Sequence, residues 1–91
     1  MTNTLKENPA VALALQAFIK FKGGSLDLAG LGSTLSSAVA LLENSIPQAV
    51  QKAIERADNE IESIRFTVDT KDHASAVERV RAELEAAVAK S

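Results

Sequence analysis

Val77, Val80, Leu84 and Val88 stand three and four residues apart, and upstream the same interval recurs in Leu31, Leu35, Ala38, Leu42 and Ile46 and again in Val50, Ile54 and Ala57. Side chains at this spacing share one face of a helix, so the chain must bury helical stripes against one another. Glycine and proline divide the stripes into units. Asn8 followed by Pro9 marks a helix start. Asparagine accepts hydrogen bonds from the orphan N–H groups of a first turn, and proline at the first helical position has no N–H to lose. A start at Thr4 would place Pro9 inside the helix, where it removes a hydrogen bond. Gly23 and Gly24 end this helix after Lys22. Its apolar residues Val11, Leu13, Leu15, Phe18, Ile19 and Phe21 spread round most of the circumference. That pattern belongs to a helix that is central or shared between subunits.

Residues 23–32 read as a glycine-rich connector, in which Leu26 and Leu28 alternate with polar neighbours as in a very short strand or a single helical turn. A second helix is expected from about Ser33 to Asn44. Ser45-Ile46-Pro47-Gln48 has the spacing of a capping box with an early proline, opening a third helix that is expected to end near Asp58. The period then changes. In Glu62-Ser63-Ile64-Arg65-Phe66-Thr67-Val68, apolar and polar residues alternate, which predicts a half-buried strand with Ile64, Phe66 and Val68 inward. Asp69 to Asp72 form a turn, and a last helix runs from about His73 to Ala89, with Arg79–Glu83 and Arg81–Glu85 as i,i+4 pairs on its wet side.

These units predict an α+β fold within one domain, residues 1–91, in the order α-β-α-α-β-α, with residues 1–8 as a flexible lead. One strand needs a partner for its N–H and C=O groups. Residues 26–29 are one candidate, and a copy of the strand across a two-fold axis is the other. An all-α bundle with residues 62–68 extended is the alternative.

Charge bounds the function. Only Lys6, Glu7, Lys20, Lys22, Asp27 and Glu43 are charged before Pro47, and the other sixteen charges follow it. The first half therefore reads as core or interface and the second as a solvated shell. A net charge of −2 and an aromatic content of 3%, with no Trp or Tyr, argue against a nucleic-acid partner. The apolar stretch Pro9 to Ile19 is far short of the roughly 20 residues that span a membrane, so no membrane partner is expected. The absence of cysteine suits a reducing, cytoplasmic setting.

Three constellations invite a chemical reading. Asp69, Asp72 and His73 bring two carboxylates and an imidazole to one junction, yet closing the preceding segment and capping a helix explains them as well. Gly30-Leu31-Gly32-Ser33-Thr34 offers backbone N–H groups for phosphate, but lacks the lysine and the glycine offsets of known phosphate loops. Asp58, Glu60 and Glu62 are too few for a calcium loop and lack its central glycine. With one His and no Cys, no nucleophile–base–orienter set is assembled. No catalytic, cofactor-binding or metal-binding residue is therefore assigned, no cofactor is expected, and the chain does not read as an enzyme.

What remains is a surface. The candidate interaction residues are Val11, Leu15, Phe18 and Phe21 of the first helix and Ile64, Phe66 and Val68 of the expected strand. The expectation is a small, non-catalytic interaction or adaptor protein that forms homo-oligomers. The alternative is a regulatory or inhibitory protein with one dedicated partner, of a toxin-neutralising or assembly-chaperone type. A small-ligand or metal binder ranks below both.

Overall fold

A computed structural model describes residues 7–90; of the flexible lead expected for residues 1–8, residues 1–6 lie outside the described residues, while Asn8 is held as the cap of the first helix. Four helices form: α1 (Pro9–Lys22), α2 (Leu28–Ala40), α3 (Gln48–Thr67) and α4 (His73–Lys90). Short connections fold each helix back on its predecessor, so neighbours in the chain pack as antiparallel neighbours in space. The result is an up-down-up-down bundle about 40 × 21 × 20 Å in extent. No strand occurs among the described residues. The expected α+β class is thus corrected to an all-helical one.

The start of α1 follows from its capping residue. Asn8 Oδ1 accepts hydrogen bonds from the backbone N–H groups of Ala10 at 2.9 Å and Val11 at 3.4 Å. At the other end the Ser25 N–H donates to the Lys20 carbonyl at 2.8 Å and the Gly24 N–H to the Phe21 carbonyl at 3.1 Å. This double closure needs a left-handed residue, and Gly24 supplies it at φ 87°.

The connector is shorter than expected. Asp27 Oδ1 accepts from the Gly30 N–H at 2.7 Å and starts α2 at Leu28, five residues before Ser33. Gly30 and Gly32 therefore lie inside a helix, and α2 ends at Ala40 rather than near Asn44. Gly32 faces α3, where a Cβ would stand 3.7 Å from Ile61 Cγ2.

The expected capping box does not form. Pro47 holds the N-cap position of α3 with no side-chain cap. The Ser45 hydroxyl turns instead toward Glu43 Oε2 at 3.5 Å. Gln51, one turn into the helix, closes the loop by donating to the carbonyls of Glu43 at 3.1 Å and Ile46 at 2.7 Å.

The largest correction concerns residues 62–68. They are not extended: α3 continues through them to Thr67, and Val68 follows as its C-cap. Val50, Ile54, Ala57, Ile61 and Ile64 form one buried stripe at alternating intervals of four and three. Ile64 satisfies both the helical and the alternating pattern, so it could not discriminate between them. Phe66, which a strand would bury, is 70% exposed. Neither expected strand pairing forms: Leu28 and Ala29 are the first turn of α2, and a helical segment through Thr67 has no strand edge to pair with a copy of itself. A helix satisfies its own backbone groups, and this segment takes that solution.

The core is one cluster shared by all four helices, with Phe18, Leu31, Leu35, Ile54, Ile61 and Leu84 as its largest fully buried side chains. Ala10, Ala14, Ala17, Ala38 and Ala57 fill the spaces between them, which lets helix axes approach closely. No polar or charged side chain is buried among the described residues.

Candidate functional site

The three chemical constellations resolve into local structure. Asp69 precedes a single 3-10 turn, Thr70–Asp72, and its carbonyl accepts from the Asp72 N–H at 2.9 Å. His73 Nε2 lies 2.8 Å from the Val68 carbonyl, which ties the start of α4 to the end of α3. The imidazole is engaged with backbone rather than gathered with the carboxylates. No group of three or more His, Asp or Glu side chains suited to a metal ion occurs among the described residues. The Gly30–Thr34 segment is helical, and the Gly30 N–H that a phosphate would need is taken by the Asp27 carboxylate. Asp58 accepts from the Ser36 hydroxyl at 2.8 Å, joining the surfaces of α2 and α3.

The seven candidate surface residues divide. Val11, Phe18 and Ile64 are buried in the bundle core and are unavailable to a partner. Leu15, Phe21 and Val68 are half-buried and pack against that core. Phe66 is exposed, with the Arg65 guanidinium 5.3 Å from its ring centre. Leu15 and Phe21 belong to the seam between α1 and α4, whereas Phe66 and Val68 sit at the end of α3. The structure therefore does not unite the seven into one surface.

The α1–α4 seam is the incomplete side of the bundle. Three of the four neighbouring helix pairs pack extensively, while α1 and α4 touch sparsely. Two open grooves follow this seam. One, of about 580 Å³, runs between Ala12, Leu15 and Ile19 of α1 and Glu85, Val88 and Ala89 of α4. The other, of about 640 Å³, lies between Phe18 and Phe21 of α1 and Ala74 and Val77 of α4. Arg81 lines both. Ala12, Leu15 and Ile19 are spaced by three and four, so α1 carries a second apolar stripe beside its core stripe. Ile19 is 59% exposed, and it is the one large exposed apolar side chain that lines a groove of this seam.

The rim of the seam is charged and internally paired. Arg81 Nε donates to Glu78 Oε2 at 2.9 Å, and its terminal nitrogens pair with Glu78 Oε1 and with Glu85. The hydrogen bond from Arg81 holds the Glu78 carboxyl below its ordinary range, and the positive charges of Arg81 and of Lys22 act in the same direction. The same hydrogen bond raises the Arg81 guanidinium. Arg81 and Lys22 thus offset Glu78 and Glu85 along the rim.

Two smaller grooves differ in kind. Between α3 and α4, about 310 Å³ is floored by Ala53, Ala57 and Ala87 and rimmed by Lys52, Arg56, Glu60 and Glu83. Between α2 and α3, about 200 Å³ is lined by Ser33, Ser36, Asp58 and Glu62. Neither presents an exposed large apolar side chain.

Sequence reasoning missed Ile19 and the whole α4 bank of the seam. The 12–15–19 spacing carried the signal for α1. On α4 the bank adds alanines and paired charges to Val77 and Val88, whose spacing signals a core stripe and not a groove wall.

No protein-family model matches this chain, and no curated protein or solved structure is significantly similar to it.

Proposed function

We propose that this chain is a non-catalytic interaction module whose working surface is the open seam between α1 and α4, and that it associates with itself. The observation carrying this reading is Ile19, a large apolar side chain 59% exposed in a groove that Leu15 and Ala12 extend along α1. Leaving such a stripe in water is unfavourable by roughly 25 cal/mol for each Å² that a partner could cover. Small bundles commonly recover this by sharing surface between copies. The chemistry of the rest of the molecule supports a binding role, because the lone histidine and the glycine segment both serve local structure. No described helix is long and apolar enough to cross a membrane. A reducing, cytoplasmic setting fits a chain without cysteine.

Sedimentation velocity across roughly 1–100 µM chain, a range chosen for micromolar affinities, tests the reading. The expected result is a monomer–dimer equilibrium that Ile19→Glu shifts to monomer without loss of helical circular dichroism. A monomer at every concentration would overturn it.

A further inference from the structure

We infer that each copy's α1 lies in the other copy's α1–α4 groove, antiparallel to the α1 already there, about a two-fold axis between Leu15 and Gln16. The inference rests on the self-associating reading above and adds the partner face, its direction and its register.

Self-complementarity of α1 is the reason. Its outward stripe is Ala12, Leu15 and Ile19, continued by Lys22 at the next helical step. Glu7 stands just before the helix, Lys20 and Lys22 stand in its last turn, and no charge intervenes. Pairing two copies in parallel would set Lys22 beside Lys22 and Glu7 beside Glu7. Pairing them antiparallel sets Glu7 of each copy within a turn of Lys22 of the other, twice by symmetry. It also opposes the two helix dipoles. The axis position follows from the stripe, since a centre between Leu15 and Gln16 places each Ile19 against the partner's Ala12, large against small. The first groove has room for this because its α4 bank offers Ala86, Val88 and Ala89 beside Arg81 and Glu85, with no Leu, Ile or Phe among them. Arg81, already held by Glu78 and Glu85, brings no unpaired charge to the buried strip.

The chain contains no cysteine, so introduced thiols report a single contact. Ala12→Cys and Ile19→Cys chains are mixed and oxidised, and each is also oxidised alone. The inference expects the mixture to give disulfide-linked dimer at least tenfold faster than either variant by itself. Equal linking of each variant to its own kind indicates a parallel pair and overturns the register. A second measurement uses charge. Lys22→Glu is expected to weaken dimerisation several-fold, and adding Glu7→Lys in the same chain to restore it, with unchanged circular dichroism throughout. Absence of restoration also overturns the register. The two levels of failure are separable. A wild-type dimer that shows neither the selective disulfide nor the charge rescue removes this arrangement alone. A wild-type chain that sediments as a monomer at about 100 µM removes both the arrangement and the self-association it rests on.

Discussion

Asn8 caps α1 with a single oxygen shared between two N–H groups, Ala10 and Val11, that have no helical partner. Asn8→Ala leaves both without that acceptor and is expected to lower stability by about 1 kcal/mol, read as a lower denaturant midpoint at unchanged slope. Two glycines make opposite predictions. Gly24 sits at φ 87°, where a Cβ is strained even though no atom crowds it, so Gly24→Ala should destabilise by about 1 kcal/mol. Gly32 is in a helix, and an added Cβ would meet Ile61 Cγ2 at an ordinary 3.7 Å. Gly32→Ala should therefore stabilise by about 0.5–1 kcal/mol through the reduced entropy of the unfolded chain. Thermal melts of the two variants should move in opposite directions. The acid response of the rim has a definite sign. The Glu78 carboxyl titrates lower in the folded chain than its ordinary value of 4.5. Its contribution is complete above that value and is lost as the pH falls through the lower folded value. The stability difference between wild type and Glu78→Gln should thus shrink in acid, by a small amount for so exposed a pair, and shrink at neutral pH as salt is added.

Helix α3 decides the fold class, and one pair of substitutions separates the helical from the extended arrangement of its last two turns. Ile64 is buried at 7% exposure, and Phe66 is 70% exposed. Ile64→Ala should cost about 2–4 kcal/mol, whereas Phe66→Ala should change stability by less than about 0.5 kcal/mol. A strand would make both large. The contrast shows why some elements could be read from sequence and others could not. In α1 the cap, the proline and the glycine pair stand at the physical ends, so the signals and the boundaries coincide. In α4 the stripe Val77, Val80, Leu84 and Val88 runs without a competing pattern. In α2 the start was hidden because Gly30 and Gly32 have low helix propensity, and tertiary packing against Ile61 overrides it. In α3 the alternation of Ile64, Phe66 and Val68 imitates a strand, and what removes that reading is the buried stripe of Val50, Ile54, Ala57 and Ile61, which carries the helix on through Ile64. The seam was half visible for a related reason. Apolar residues all round α1 fit a helix that is either central or shared, but which of them face outward depends on where α2 and α4 settle. Leu15 and Phe21 reach the seam, Val11 is taken by the core, and Phe18 is buried in the core at the edge of one groove.

At the scale of the whole molecule, the unequal packing of the four seams links stability to association. Three seams are closed by α2, α3 and their neighbours, so the bundle holds together without the fourth. The α1–α4 seam is then free to be completed by something outside the chain, and Ile19 marks the surface such completion would cover. Anything that binds the folded state and not the unfolded one stabilises it by mass action. If that partner is a second copy, the melting temperature must depend on chain concentration, because unfolding then also separates two chains. A domain of this length has an unfolding enthalpy of about 60–80 kcal/mol, so a dimer unfolding as one unit carries about twice that. A hundred-fold rise in concentration should accordingly raise the midpoint by about 5–10 °C. Ile19→Glu should abolish the dependence while keeping the helical signal, since the substituted side chain is on the surface of the monomer. Hydrogen exchange gives the same answer locally: amides along α1 should be better protected at high concentration than at low, and amides in the α2–α3 seam should be less affected. A midpoint that stays fixed over that range in the wild-type chain would mean that the open seam is left to a different partner or to none.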